Sequence, residues 1–185
     1  MADLRLIELI TPSMFAESLA AVDLDVLSSV GIRYILLDLD NTLLPWNEYN
    51  VPEESRLWVE GAKNRGMNIC IASNTRNPRR LRLIADGLGV FCIDKVGKPL
   101  GGRLRAAVEV MGGSLENTAL IGDQVFTDVL GGNRLGMFTV LVKPMHPREF
   151  VGTKVSRFFE KLIMPFIKRR VMGTKPGAGK SFMQD

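Results

Sequence analysis

Two aspartates separated by one residue follow the apolar run Tyr-Ile-Leu-Leu at positions 34–37. Because successive side chains of a strand alternate between its two sides, Asp38 and Asp40 are expected to converge where that strand ends. Two such acids repel each other unless a cation joins them, and Mg²⁺ prefers oxygen ligands and also holds phosphate oxygens. The pair therefore favours phosphoryl transfer. A capped turn with two solvated acids explains an isolated Asp-x-Asp about equally well.

The elements that would position these acids alternate along the chain. Short apolar runs are separated by stretches of helical length, and this rhythm predicts an α/β fold with a parallel, doubly wound sheet. The predicted strands are residues 33–37, 68–72, 90–93, 119–121 and 139–142, and the predicted helices are residues 53–65, 79–88, 101–111 and 127–135, with one or two more over 12–30.

Polar residues follow several of these strands. Parallel sheets bind ligands beyond the carboxyl ends of their strands, so these residues are considered together. Besides the acids after the first strand, Ser73 ends the second strand, Asp123 follows the fourth with Asp128 five residues later, and Lys98 lies between them in Gly-Lys-Pro. Each element alone is more often structural than functional. Their joint order predicts one site.

Phosphoryl transfer needs a nucleophile and positive charge around the phosphoryl oxygens. Asp38 is the predicted nucleophile, since it leaves the strand first, and Asp40 the predicted general acid and base. The remaining assignments concern the metal and the phosphate. Asp123 is the predicted metal ligand from the far strand, Asp128 holds a metal-bound water or orients Lys98, Ser73 binds phosphate at a helix N-terminus, and Lys98 supplies a positive charge.

These motifs resemble the four motifs of haloacid dehalogenase (HAD) superfamily phosphatases. Over residues 33–142 they are Asp-Leu-Asp-Asn-Thr from Asp38, Ser-Asn-Thr from Ser73, Lys-Pro from Lys98, and Gly-Asp-Gln-Val-Phe-Thr-Asp ending at Asp128. The chain is similar, more narrowly, to the YqeG family of HAD subclass IIIA, whose eukaryotic and cyanobacterial relatives are associated with dephosphorylating phosphatidylglycerophosphate to phosphatidylglycerol.

The resemblance implies a Mg²⁺-dependent phosphoric monoester hydrolase that works through an aspartyl-phosphate. It also implies that Asp40 offers the metal its backbone carbonyl, so the predicted metal set is Asp38, Asp40, Asp123 and Asp128. The predicted fold is a HAD-like, Rossmannoid three-layer sandwich around a central parallel sheet. The predicted phosphate-binding set is Ser73, Asn74, Lys98, Asn41 and Thr42.

Spacing adds that the site is open. Asp40 and Ser73 are 33 residues apart, and Ser73 and Lys98 are 25 apart, so neither interval holds a large cap domain. By the family's general pattern, open sites act on bulky substrates that cover the site themselves. The predicted division is a helical lead-in over 1–32, the phosphatase core over 33–147, a basic amphipathic helix over 148–172 and a flexible tail over 173–185.

The composition argues against several other classes of protein. The chain has 185 residues, 46% of them hydrophobic, and no apolar run near the roughly 20 residues that cross a bilayer. The N-terminus lacks the basic and then apolar order of a signal peptide, which predicts a cytoplasmic protein. Cys70 and Cys92 are predicted to be reduced thiols in strands, and the single histidine, His146, builds neither a metal cluster nor a Ser-His-Asp triad.

The C-terminal segment is basic. Residues 143–185 contain ten Lys or Arg and three Asp or Glu, although the net charge of the chain is only +4. Apolar residues share one predicted helical face and cations another, so residues 149–172 are predicted either to lie on the inner, anionic membrane surface or to cover the sheet with a solvated basic face. The apolar face consists of Val151, Val155, Phe158, Phe159, Leu162 and Phe166.

Three functions remain open at this point. The favoured one is a phosphatidylglycerophosphate phosphatase at the membrane surface, and the second is a phosphatase for nucleotides, sugars or phosphoproteins. The third is an RNA-, ribosome- or membrane-binding module that keeps the fold without turnover. RNA is disfavoured because the aromatic residues of the basic segment lie away from its charges.

Overall fold

The computed structural model describes residues 7–100 and 102–145. These residues form a six-stranded, fully parallel sheet in the order β1-β6-β5-β2-β3-β4. The strands are β1 (Met14–Ala16), β2 (Tyr34–Leu37), β3 (Asn68–Ser73), β4 (Phe91–Asp94), β5 (Thr118–Gly122) and β6 (Phe138–Val142).

Helices connect the strands and cover both faces of the sheet. They are α1 (Leu24–Ser29), α2 (Glu53–Asn64), α3 (Pro78–Leu88), α4 (Gly102–Val110) and α5 (Leu130–Leu135), together with a 3-10 turn (Leu19–Ala21) and a π-helical turn (Val125–Val129).

Strand alternation divides the core in two. Ile35 and Leu37 of β2 pack in a cluster with residues of α1, α2 and α3, whereas Leu36 packs in a second cluster with residues of α4. Both sets are buried because a parallel sheet with helices on both faces has no solvent-facing side. The predicted three-layer α/β sandwich is confirmed. The described residues between β2 and β4 contain only β3, the helices α2 and α3, and loops, with no large cap.

The prediction of helices over residues 12–30 was wrong at its start. Met14–Ala16 is an edge strand that pairs with β6, from Met14 opposite Val140 to Ala16 opposite Val142. Two hydrogen bonds hold the start of this strand. The backbone N–H of Ser13 donates to the side-chain oxygen of Thr139, and the backbone N–H of Thr139 donates to that of Ser13, each at 3.2 Å. A three-residue, half-buried strand is too short to show period-two alternation, and Thr-Pro-Ser before it is typical of a helix start.

The rest of the predicted N-terminal division stays a prediction, as does the boundary at 32. The predicted basic helix over 148–172 and the tail over 173–185 lie outside the described residues, as does His146. Both cysteines are free, and burial raises the pKa of the Cys70 thiol to about 12. Over the range that the structure describes, every helix is too short or too polar to cross a bilayer.

A close approach between α5 and β6 requires glycine. A Cβ on Gly132 would lie 2.5 Å from Cγ2 of Thr139, whose hydroxyl is held by a 2.8 Å bond to Asn133. We expect Gly132→Ala to lower the free energy of unfolding by about 1–3 kcal/mol, because the buried Thr139 cannot move aside. Urea denaturation followed by circular dichroism measures it.

The matched control is Gly87→Ala in α3, where a Cβ meets nothing within 4 Å. The free energy of unfolding of that variant should rise by up to about 1 kcal/mol, because alanine restricts the conformations of the unfolded chain. Equal effects of the two substitutions would contradict the packing argument.

Candidate active site

Strand register brings the predicted site residues to one edge of the sheet. Leu37 of β2 pairs with Ile71 of β3 on one side and with Ile121 of β5 on the other. The ladder continues one step further, because the Asp38 N–H donates to the Ile121 carbonyl at 2.9 Å. Residues that follow these strands therefore leave the sheet together, as a shared site at the carboxyl ends requires.

A buried lysine joins two of these acids. Nζ of Lys98 donates to Asp38 at 2.6 Å and to Asp128 at 2.7 Å, and all three residues are buried. Each buried charge is thereby paired, as charges away from water must be. Asn74 holds the segment that carries Lys98, accepting from the Gly97 N–H at 2.9 Å and donating to the Lys98 carbonyl at 3.4 Å. Its predicted contact with phosphate stays a prediction.

Three buried carboxylates form a candidate cation site. One oxygen each from Asp38, Asp123 and Asp128 lies within 4.8 Å of the other two. Oxygen ligands about 2 Å from an ion are at most about 4 Å apart, so small shifts would let this set hold a hard divalent cation. The donor set is all oxygen, as such ions prefer, and Lys98 balances only one of its three charges. These residues therefore fit the Mg²⁺ ion that the sequence predicts.

Burial controls the charge state of the predicted nucleophile. It raises the pKa of Asp38 to about 7; the charges of Asp128 and Asp40 act in the same direction, and Lys98 opposes them. Burial also disfavours the charged form of Lys98, yet the two carboxylates outweigh it and hold the pKa of Lys98 above its ordinary value. A cation at the three carboxylates would take the place of the proton on Asp38.

The Asp40 side chain does not join this cluster. Its Oδ1 accepts from Nη1 of Arg80 at 2.8 Å and from the Asn47 N–H at 3.3 Å. The expectation that the two carboxylates of the pair converge on one ion is therefore corrected: an arginine on α3 neutralises the second acid. This arrangement agrees with a metal contact through the Asp40 carbonyl, which stays a prediction together with its part in proton transfer.

Arg80 is the functional candidate that sequence reasoning missed. Its side chain is 2% exposed, and its Nε donates to the Glu48 carbonyl at 2.6 Å. The signal was its spacing, because Arg80, Ile84 and Leu88 lie four residues apart on the buried face of α3. Three other arginines between positions 76 and 82 concealed it.

Ser73 lies at the site but not at a helix start. It is the last residue of β3, whereas α3 begins at Pro78 with Asn77 as its cap, accepting from the Arg80 N–H at 3.0 Å. Proline fixes the first helical position, which delays the helix. The Ser73 hydroxyl instead accepts from the Thr75 N–H at 3.1 Å. The expected help from the helix dipole at Ser73 is therefore wrong, while phosphate binding by its hydroxyl stays a prediction.

Asn41 and Thr42 form the turn after the acids. Asn41 has a φ of 64°, which asparagine tolerates better than most residues, and its side chain accepts from the Trp46 N–H at 3.3 Å. Thr42 is fully buried and does not line the cavity. Both phosphate-binding assignments stay predictions.

The site opens into a cavity of about 410 Å³. Six of the predicted residues line it, namely Asp38, Asp40, Asn41, Ser73, Asn74 and Lys98. Asp123 and Asp128 are buried beneath it, 2% and 1% exposed. Residues to which the sequence assigned no role complete the wall, and three of them, Thr75, Gln124 and Thr127, lie within the quoted motifs. The others are Trp46, Asn47, Arg76, Asn77 and Arg80.

Comparisons with known proteins agree with this geometry. Residues 35–96 match the family model of haloacid dehalogenase-like hydrolases, and residues 95–144 match the HAD-hydrolase-like model. A probable phosphatase, YqeG of Bacillus subtilis (strain 168), is 36% identical over 86% of this chain and 92% of its own length.

More distant likenesses cover the chain unequally. A chloroplastic and mitochondrial phosphatidylglycerophosphate phosphatase 1 of Arabidopsis thaliana is 26% identical over 91% of this chain, which spans only 51% of that protein. The crystal structure of a protein from Listeria monocytogenes serotype 4b superposes with a TM-score of 0.53 at 13% identity, covering 75% of this chain and 99% of that one. The last likeness concerns the fold alone.

A parallel sheet with acids, a serine and a lysine at its carboxyl edge, together with these matches, places the chain in the class of α/β enzymes that hydrolyse phosphate esters. The 36% identity to the YqeG phosphatase indicates a family within this class. The chain belongs to the haloacid dehalogenase-like hydrolases, as a phosphatase of the YqeG type.

The pKa of Asp38 leads to a test of the cation site. The folded chain holds this proton up to about pH 7, whereas the ordinary value is 3.8. The resulting stability is complete below about 3.8 and is lost as pH rises through about 7. We therefore expect the melting temperature without metal to fall between pH 5 and pH 8, and added MgCl2 to raise it more at pH 8 than at pH 6.

Differential scanning calorimetry with and without Mg²⁺ measures both effects. The control is Asp38→Asn, which has no proton to exchange at this position and should lose the extra dependence on pH. Equal Mg²⁺ shifts at the two pH values in the wild type would refute a cation that competes with this proton.

Gly122 gives a second test of the cluster. A Cβ at this position would lie 2.2 Å from Cγ of Asp128. We expect Gly122→Ala to displace Asp128 from Lys98 and to lower kcat on the order of a hundredfold, as misplaced catalytic groups do. Initial rates of phosphate release measure kcat, and Gly87→Ala serves as the control. An unchanged kcat in a folded Gly122→Ala variant would show that turnover does not depend on the position of Asp128.

Proposed function

We propose that the chain hydrolyses phosphomonoesters through an aspartyl-phosphate on Asp38, with Mg²⁺ as cofactor, and that its substrate is phosphatidylglycerophosphate at a membrane surface. The observation that carries the chemistry is the buried set of Asp38, Asp123 and Asp128 at an open cavity, with Lys98 bonded to Asp38 and Asp128. Membership of a phosphatase family favours turnover over the alternative of a binding module.

Asp38 attacks phosphorus with one carboxylate oxygen, and the bond from phosphorus to the ester oxygen breaks. Asp40, which enters this step in its protonated form, gives its proton to the departing alkoxide. A water molecule then attacks the phosphoryl group while Asp40 takes its proton, and cleavage of the bond from phosphorus to the Asp38 oxygen releases phosphate. Lys98 and Ser73 bind phosphoryl oxygens. Bound Mg²⁺ would be held by Asp38, Asp123, Asp128 and the Asp40 carbonyl, and would supply Lewis-acid stabilisation of phosphoryl charge.

The lipid substrate is supported by two features of the chain. No large cap covers the described site, so a head group attached to a bilayer has access to it. The segment 149–172 is basic and amphipathic in sequence, which suits an anionic membrane surface. The name of the Arabidopsis relative agrees with this substrate, at 26% identity. A phosphatase for nucleotides, sugars or phosphoproteins is the alternative.

A phosphate-release screen tests the proposal. Phosphatidylglycerophosphate in mixed micelles is compared with p-nitrophenyl phosphate, nucleoside monophosphates, sugar phosphates and a phosphopeptide. We expect the lipid to give the highest kcat/KM, and Asp38→Asn to lose activity by a factor on the order of 10⁴ or more, because no other group replaces the nucleophile.

Two outcomes would contradict the proposed function. Release that persists in Asp38→Asn, or after Mg²⁺ is chelated, would overturn the mechanism. A higher kcat/KM for a soluble ester would overturn the lipid substrate while leaving the mechanism intact.

A further inference from the structure

Large apolar side chains are exposed on two loops at the carboxyl edge of the sheet. Trp46 and Tyr49, after β2, are 40% and 53% exposed, and Leu100, after β4, is 80% exposed. Trp46 lines the cavity, and Leu100 lies two residues beyond the cavity residue Lys98. Exposed apolar groups gathered around a ligand site mark a contact surface more often than scattered ones do.

The loop that carries the two aromatic residues is fixed to the site. The Trp46 and Asn47 N–H groups donate to the side chains of Asn41 and Asp40, each at 3.3 Å. Arg80 binds the Glu48 carbonyl, and its guanidinium lies 5.9 Å from the centre of the Tyr49 ring. The aromatic residues are therefore presented in a set position, and little conformational entropy is lost when they bind.

Tyr49 is anchored at its hydroxyl as well, since Asn77 donates to it at 3.3 Å. Asn77 caps α3, so the loop and the first turn of α3 form one side of the cavity. Two arginines of that side, Arg76 in the cavity wall and Arg79 in the first turn, are exposed. The exposed Glu48 is the one acid among residues 45–50. The side therefore has an excess of positive charge.

This combination fits a lipid surface. Tryptophan and tyrosine rings settle at the level of head groups, arginines attract anionic lipids, and an aliphatic side chain gains by entering the acyl region. Single-stranded nucleic acid would use the rings and arginines, but it gains little from Leu100. The observations therefore favour a bilayer.

We propose that the rim formed by Trp46, Tyr49 and Leu100, with Arg76 and Arg79, is a membrane-contact surface that seats the open site on anionic head groups. The inference deepens the proposed function and rests on it for the lipid substrate. It differs from the role of the basic segment 149–172, because it places the cavity mouth itself against the bilayer.

The two tryptophans provide a local probe. Trp46 is exposed, whereas Trp58 is 6% exposed and donates its ring N–H to the Val22 carbonyl at 2.8 Å. The full chain is titrated with vesicles of phosphatidylglycerol and phosphatidylcholine, with bromines on the acyl chains near the head group. We expect the fluorescence to shift to shorter wavelength and to be quenched in the wild type, and neither change in Trp46→Phe, where only the buried Trp58 remains.

Substitutions then map the surface by vesicle sedimentation. Leu100→Ser should weaken vesicle binding by about tenfold, which corresponds to roughly 1.4 kcal/mol of lost apolar burial. The matched control is Val110→Ser, because Val110 is 83% exposed at the C-terminal end of α4, and that end lies by the start of β2, where Tyr34 donates to the Gly112 carbonyl. Val110→Ser should bind as the wild type does.

The outcomes separate this inference from the proposed function. Vesicle binding without a Trp46 response, or with equal effects of Leu100→Ser and Val110→Ser, would overturn the rim and leave the lipid substrate standing. A Trp46 response in a protein that prefers soluble esters would support the rim and overturn the lipid substrate. A response to single-stranded RNA or to a phosphopeptide but not to vesicles would show that the rim binds another macromolecule.

Discussion

The contact on which the site depends is the ammonium group of Lys98 between the carboxylates of Asp38 and Asp128. It lies where solvent does not compensate charge, and Asp123 adds a third carboxylate within 4.8 Å. One cation among three acids leaves two negative charges in excess if all are ionised. The site then has two ways to relieve this excess, a proton on Asp38 or a divalent cation, and the first neutralises the carboxylate proposed as nucleophile. In the proposed mechanism, binding of a metal and activation of the nucleophile are thus the same electrostatic event.

The sheet makes this crowding possible. β2 is flanked by β3 and β5, so Asp38 leaves the sheet between the strands that supply Ser73 and lead to Asp123. A slip of one residue in either pairing would turn alternate side chains to the opposite face and exchange the two halves of the core. The close packing of Leu36 against one set of helices and of Leu37 against another opposes such a slip, because the exchanged side chains would not fit their new neighbours. Core packing and charge placement therefore depend on one register.

Much of this was predictable because the strands that carry the site are continuous apolar runs with their polar residues at the ends. The layers, the open site and the grouping of Asp38, Lys98, Asp123 and Asp128 followed from the order of the motifs. The edge strand Met14–Ala16 did not, since its strand character comes from pairing with β6 and not from its own three residues. Arg80 was hidden for a related reason: its partner Asp40 is 40 residues distant in sequence, and only the packing of α3 brings them together.

That ion pair has a consequence for an open site. The described residues contain no large cap, so a bound substrate, or the surface that carries it, would help to exclude water from the site. The loop nearest to such a surface is bonded to Asp40 directly through Asn47 and indirectly through Arg80, which also binds the Glu48 carbonyl. Any displacement of the loop by a bound substrate would therefore also move the Asp40 carboxyl group, which is proposed to transfer the proton. A cap domain couples closure to chemistry by its own movement, whereas here three hydrogen bonds that link the loop to Arg80 and Asp40 would provide that coupling.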